Sequence, residues 1–295
     1  MKQVIIDTIK YIDEHIEESL KLDDIADEMG YSKFHFSRIF KKYMNQTVNE
    51  YVMEKRLRLA AKDIMSGQRI LDVAVKYHYS THTGFSKAFK KCFSYNPSML
   101  SSIKLLESML LQEGRTTMTK KELYDELAEY FRTSTNECVE KEFEDVYKFA
   151  DASLSTMKRY SGEEYVTHPL NVGLILTKMG VSTNTIFLGI LHDCMNHSEL
   201  EKHFGKIMLK KVKRIQELSN FNLLLEEVDF EKEEDLLLVK LADRLHNMQT
   251  IRFIDEKRWQ VKAKETLDVF SPLAVKIGQT DLKIQLDKLS LDLFQ

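Results

Sequence analysis

Apolar residues recur along this chain at the three-to-four-residue spacing of helices almost from end to end. Ile5, Ile9, Ile12 and Ile16 fall at i, i+4, i+7 and i+11, on one face of an opening helix. Thr47 and Glu50 form a T-x-x-E pair, the signature of a capping box, which predicts a helix running to about Ser66. Further helices are predicted over about 119–131, 139–157 and 183–193, and again over 234–250. In the last of these, Leu236, Leu237, Leu238, Val239, Leu241, Ala242, Leu245 and Met248 cover most of the circumference, which marks a buried helix. Three prolines and ten glycines interrupt 295 residues, and no pair of alternating segments reads as strands. The pattern predicts an all-α protein. Its length exceeds what one core usually takes, so two domains are expected, over 1–105 and 118–295. Residues 106–117, with Gly114, Arg115 and a threonine pair, read as the linker between them.

Composition narrows the class. Hydrophobic residues make up 43% and charged residues 30%, the balance of a globular chain rather than a disordered one. No apolar run approaches the ~20 residues that cross a bilayer, and the first fifteen residues turn acidic too early for a signal peptide. A cytoplasmic protein without a membrane partner is expected. Cys92, Cys138 and Cys194 are scattered without metal-ligand spacing, as reduced structural thiols would be. The net charge of −3 hides an asymmetry. Residues 1–105 hold 17 Lys and Arg against 13 Asp and Glu, and the remainder holds 26 against 33. The excess gathers at Lys33, Arg38, Lys41, Lys42, Lys55, Arg56, Arg58 and Lys62. Such a patch suits nucleic-acid phosphates, although a solvated helix face would look the same by charge alone.

An internal repeat decides between those two. Asp24-Ile25-Ala26 through Gly30-Tyr31-Ser32 leads into Phe36-Ser37-Arg38-Ile39-Phe40-Lys41-Lys42. Forty-eight or forty-nine residues later come Asp72-Val73-Ala74, Tyr79-Ser80-Thr81 and Phe85-Ser86-Lys87-Ala88-Phe89-Lys90-Lys91. Each copy is a short helix, a turn and a second helix whose phenylalanines at i and i+4 anchor one face and free the other. That is the layout of a helix-turn-helix, whose second helix enters the major groove. The pattern IAxxxGYSxxxFSRxFKK, a long linking helix and a second copy resemble the AraC/XylS family of transcription regulators over residues 1–103. The resemblance implies double-stranded DNA as partner. It implies base reading by Phe34, Ser37 and Arg38 in the first unit and by His82, Thr83 and Lys87 in the second. Lys41, Lys42, Lys90 and Lys91 would then lie near phosphates and position the helices. Two tandem units span successive major grooves ~34 Å apart, so a homodimer is possible but not required. Two departures stand out. His78 occupies a turn where the family has glycine and where φ > 0 is expected, and Gly84 inside the second reading helix should weaken it by about 1 kcal/mol relative to alanine.

The second half carries a different chemistry. Asp243, Asn247 and Thr250 form a polar stripe at i, i+4 and i+7 on the buried helix, with His246 beside them. A carboxylate in such surroundings is costly unless it is paired with a cation or bound to a metal, and this helix alone leaves both open. His192 and Asp193 end an apolar helix side by side, and His168 stands before Pro169 at the start of another. Two imidazoles and two carboxylates suit Mn²⁺, Fe²⁺ or Zn²⁺, with positions left for water. In the order His168, His192-Asp193, Asp243 they resemble the HD superfamily of metal-dependent phosphohydrolases. RYSGEEYVTHP, ILHD, VKLADRLHNMQT and the C-terminal ETLDVFSPLAVKIGQTDLKIQLDKLSLDLF are similar to the hydrolase domain of RelA/SpoT proteins, over about residues 120–295. That domain removes pyrophosphate from the 3′ position of guanosine tetraphosphate, usually with manganese. The resemblance therefore implies manganese as cofactor, a phosphorylated nucleotide as ligand, and nucleotide contacts from Arg159, Ser161, Asn247 and Thr250.

Here too the departures matter. The hydrolases carry Glu-Asp where this chain has Asn196 and His197, and asparagine cannot accept a proton. Tyr160 stands where a basic residue is usual, and the stretch between His197 and Asp243 is shorter than in the family. Metal ligands kept beside a lost catalytic pair imply a DNA-binding regulator whose C-terminal domain senses a guanosine polyphosphate-like nucleotide. The alternatives are an active 3′-pyrophosphohydrolase fused to a DNA-binding domain, and a docking module with a vestigial pocket.

Overall fold

The computed structural model describes residues 2–100, 118–134, 137–218 and 228–293. Chain contacts divide it into two units, Met1–Glu113 and Gly114–Gln295. The expected linker at 106–117 lies outside the described residues. Among the described residues every regular element is helical, and the only extended pairing is an isolated bridge between Lys158 and Glu164.

The first unit is built from α1 (Lys2–Glu14), α2 (Leu22–Glu28), α3 (Lys33–Met44), α4 (Val48–Met65), α5 (Ile70–Lys76) and α6 (His82–Phe93). The isoleucine stripe works as its spacing implies. Ile5, Ile12 and Ile16 are buried in a cluster with Ile25, Phe36, Phe40, Val48 and Val52. The capping box is present in full: Thr47 Oγ1 accepts from the Glu50 amide at 3.2 Å, and the Glu50 carboxylate accepts from the Thr47 amide at 2.8 Å. The two copies of the repeat pack α2 on α3 and α5 on α6, with α4 between them. Phe36 and Phe40 in the first copy, like Phe85 and Phe89 in the second, are wholly buried.

His78 adopts φ +65°, the counterpart of Gly30 at φ +73° in the first copy. Gly84 lies inside α6 as expected, near its start. It is the third residue of α6, and its amide donates to Oγ1 of the cap Thr81 at 3.0 Å. A Cβ there would come within 2.9 Å of that oxygen.

The second unit contains α7 (Lys120–Ser134), α8 (Glu137–Leu154), α9 (Thr167–Lys178), α10 (Thr183–Leu191), α11 (His197–Glu217) and α12 (Glu234–Gln249). After two short 3₁₀ turns come α13 (Trp259–Glu265), a π segment (Thr266–Phe270), α14 (Ser271–Lys276) and α15 (Thr280–Leu291). The α9–α10 hairpin is the centre, packed against α7 and α12. Two glycines let its helices approach. A Cβ on Gly173 of α9 would lie 2.9 Å from Ile190 of α10, and one on Gly189 of α10 would lie 2.4 Å from Leu176 of α9. Because the hairpin is antiparallel, the start of α9 and the end of α10 meet at one end. The helix expected over 183–193 stops at Leu191, since the Cys194 amide turns back to the Leu191 carbonyl at 3.0 Å. This turn swings His192 and Asp193 toward the start of α9.

Candidate metal centre and ligand pocket

His168 enters the centre from the first turn of α9, His192 and Asp193 from the turn after α10, and Asp243 from the middle of α12. His168, His192 and Asp193 present ligand atoms within 4.8 Å of one another. Asp243 Oδ1 lies 3.1 Å from His168 Nε2 and 4.0 Å from His192 Nε2, so all four expected ligands converge. Asp193 carboxylate oxygens lie 3.4 Å from His192 Nε2 and 3.7 Å from His168 Nε2.

The outer contacts fix how the rings present their lone pairs. His192 Nδ1 donates to the Gly189 carbonyl at 2.7 Å, which leaves Nε2 as the ring nitrogen that faces the two carboxylates. Acceptors pointed at one another repel unless a cation lies among them, and this donor set fits a divalent ion. His168 Nδ1 meets His246 Nδ1 at 2.7 Å, and both rings are buried. Burial first, then the positive surroundings of His168 and Arg159, push the His246 imidazole down to about 3. Burial likewise lowers His168, favouring the neutral, ligating ring. For Asp243, burial opposes the charge, but its contacts with His168, His192 and Lys240 outweigh it. Its carboxyl is held well below the usual carboxylate range. Tyr165 donates to Asp193 Oδ2 at 3.1 Å and steadies the fourth ligand.

Asp243 also forms the edge of a pocket of ≈ 330 Å³. All four residues expected to hold a nucleotide line it: Arg159, Ser161, Asn247 and Thr250. Arg159 Nη2 donates to Thr250 Oγ1 at 2.9 Å, and Asn247 Nδ2 donates to Asp243 Oδ1 at 2.5 Å. Sequence reasoning missed four further cations on the walls, Lys240, Arg244, Arg258 and Lys262. Lys240 and Arg244 were within reach, standing three residues before Asp243 and one after it on the buried helix. Arg258 and Lys262 carry no such signal, because a separate segment folds back to supply them. Arg244 lies over the Phe270 ring, 4.0 Å from its centroid, and meets Glu265 Oε2 at 3.2 Å. Tyr160, at the position of the family's basic residue, lines the same pocket and is 77% exposed.

Asn196 and His197 stand apart from that chemistry. Asn196 caps α11, its Oδ1 accepting from the Glu199 amide at 3.4 Å. His197 Nε2 lies 3.0 Å from Gln216 Oε1, and Gln216 in turn donates to the His192 carbonyl at 3.0 Å. In the first unit, Phe34, Arg38, Lys41 and Lys42 are exposed on α3, with Ser37 half-buried. His82, Thr83, Lys87, Lys90 and Lys91 are exposed on α6.

Comparison with known proteins agrees with both halves. Residues 25–102 match a family described as a helix-turn-helix domain, and residues 146–280 match one described as an HD domain. This chain thus carries a helix-turn-helix domain followed by an HD domain. A GTP pyrophosphokinase of Streptomyces coelicolor is 34% identical over 164 residues, covering 51% of this chain and 19% of that protein. A guanosine-3′,5′-bis(diphosphate) 3′-pyrophosphohydrolase of Aquifex aeolicus is 31% identical over 160 residues, covering 50% and 23%. The chain spans about a fifth of the length of these relatives. A solved structure, described as a metazoan ortholog of SpoT that hydrolyses ppGpp, matches at 21% identity and TM-score 0.40. It covers 50% of this chain and 92% of that one. HD domains generally bind divalent metals, and the His-His-Asp cluster is the part of this chain suited to one. No helix among the described residues is long and apolar enough to cross a membrane.

Proposed function

We propose that this protein is a DNA-binding transcription regulator whose HD domain senses a guanosine polyphosphate-like nucleotide through a bound divalent metal, manganese first among the candidates, with little or no turnover. The observation that carries the sensor reading is the pocket itself. Five cationic side chains and one carboxylate are among its lining residues, and that carboxylate belongs to the metal cluster. A polyanion seated there would meet positive charge along its length and the metal at one end.

His168, His192, Asp193 and Asp243 would hold the metal, and Arg159, Ser161, Asn247 and Thr250 the nucleotide, joined by Lys240, Arg244, Arg258 and Lys262. When bound, the metal supplies Lewis-acid polarisation of a phosphoryl oxygen. The chain's own residues support binding over hydrolysis. Asn196 has no basic atom and serves as a helix cap, His197 commits Nε2 to Gln216, and neither is among the residues lining the pocket. On DNA, the exposed residues of α3 and α6 would read bases and the lysines at their C-terminal ends would meet phosphates. Such a regulator acts in the cytoplasm, and a homodimer is compatible with it.

One experiment tests both parts of the sensor reading. Purified protein is incubated with manganese and guanosine tetraphosphate, and binding is measured together with pyrophosphate release. Saturable, manganese-dependent binding without release is the expected result. Brisk manganese-dependent release would replace the sensor with an active hydrolase, and no binding of any guanine nucleotide would leave only a docking role.

A further inference from the structure

One short turn in the first unit collects donors from far along the chain. Residues Ile16, Glu17 and Glu18 follow α1. Arg56 of α4 donates through Nε to the Ile16 carbonyl at 3.0 Å and through Nη2 to the Glu18 carbonyl at 2.5 Å. Lys76, the last residue of α5, pairs with the Glu17 carboxylate at 2.9 Å and also with Asp63 Oδ2 at 3.0 Å. His78 Nε2 meets the Glu17 carbonyl oxygen at 2.8 Å. A carbonyl oxygen only accepts, so the ring donates from Nε2. The second helix-turn-helix copy is therefore tied to the first at this turn as well as through α4. The tie supplements the packing, since the buried members of the first copy's cluster draw on α4 only as far as Val52.

His78 reaches the turn at a cost. A side chain at φ +65° carries strain that glycine would not. The equivalent turn of the first copy has Gly30 at φ +73°, which reaches nothing. What the histidine gains is the bond to Glu17, sixty-one residues away in sequence. We infer that His78, with Lys76, clamps the turn at Glu17 so that α3 and α6 present their reading faces at one fixed separation, making His78 a determinant of operator spacing.

This inference rests on the DNA-binding reading above. Inserting one base pair between two half-sites shifts the second by ~3.4 Å and turns it by ~35° about the duplex axis. A clamped pair of reading helices cannot follow that shift, whereas a loosened pair can. His78→Gly removes the histidine's bond to the turn and relieves the strain while leaving Lys76 and Arg56 in place, so it should fold at least as readily as wild type.

The test uses the full chain and a duplex selected by the wild type from a random pool, then the same duplex with one base pair inserted between its half-sites. Wild type should lose on the order of tenfold or more in affinity for the lengthened duplex, as for one badly placed base contact. The His78→Gly protein should lose no more than about threefold, a residual penalty below that of one mismatched pair. Hydrogen exchange supplies a readout independent of DNA, in which the Glu18 and Leu20 amides should exchange faster in His78→Gly. A spacing penalty equal to that of wild type, equal weakening on both duplexes, or unchanged exchange at those amides would each overturn the clamp. Failure of the wild type to select any duplex would instead bring down the DNA-binding reading, and the inference with it.

Discussion

Gly189→Ala puts the assembly of the metal centre to a quantitative test. The added Cβ would lie 2.4 Å from Leu176 Cδ1 and 3.3 Å from Val172 Cγ1. Carbon atoms rest at about 3.5–4.0 Å, so the first contact is short by more than 1 Å. Leu176 and Val172 are wholly buried, so any shift must be made within the packed core. Either Leu176 leaves its rotamer or α10 moves away from α9, and overpacking of this kind costs about 1–3 kcal/mol. From the middle of that range, about 2 kcal/mol, alanine's better helix propensity returns up to about 1 kcal/mol, which leaves a net loss of roughly 1–2 kcal/mol. For a unit of this size that lowers the melting temperature by roughly 2–8 °C.

The more telling effect falls on the metal. Gly189 supplies the carbonyl that orients His192, and the α9–α10 separation sets the distance from His168 to His192. Disturbing such a support typically weakens metal binding by about 10–100-fold. Calorimetric melting gives the first quantity and manganese titration of the folded protein gives the second. Gly173→Ala, whose nearest contact is 2.9 Å from Ile190 Cγ1, should show the same defect in milder form. A Gly189→Ala protein that melts at or above the wild-type temperature and takes up manganese as tightly would refute this account of the hairpin.

Three other outcomes are expected. Asp243→Asn keeps the side chain's shape and loses its charge, so elemental analysis should find the bound metal gone; one ion per chain retained in the variant would strike Asp243 from the ligands. Arg38→Ala should cost about 1–3 kcal/mol on the preferred duplex and relax specificity at one base pair, while Lys41→Ala should weaken all duplexes alike and flatten the salt dependence. The opposite assignment in a binding titration would exchange their roles. Asn196→Glu with His197→Asp should raise pyrophosphate release from guanosine tetraphosphate without tightening its binding, since positioned acid–base groups contribute ~10²–10⁴-fold. Turnover that stays at background would show that more than this pair separates the chain from a hydrolase. Loss of the Asn196 cap should cost that variant about 1 kcal/mol, visible in its melting curve.

Periodicity alone determined the all-helical fold, the opening isoleucine stripe and the capping box at Thr47, because these depend on neighbours three and four residues apart. The tandem repeat likewise marked α3 and α6 and their exposed lysines, since a polar face opposite two buried phenylalanines leaves a local record. The metal ligands were legible as residue types, but their convergence was not. It depends on two glycines that let α9 and α10 approach, and on a turn after Leu191 that brings His192 round to His168. The bond from His78 to Glu17, the contact of His246 with His168, and the arrival of Arg258 and Lys262 at the pocket were decided by tertiary structure alone. Each joins segments far apart in sequence, and no local spacing records which distant partner a polar side chain will meet once the apolar core has fixed the path of the chain.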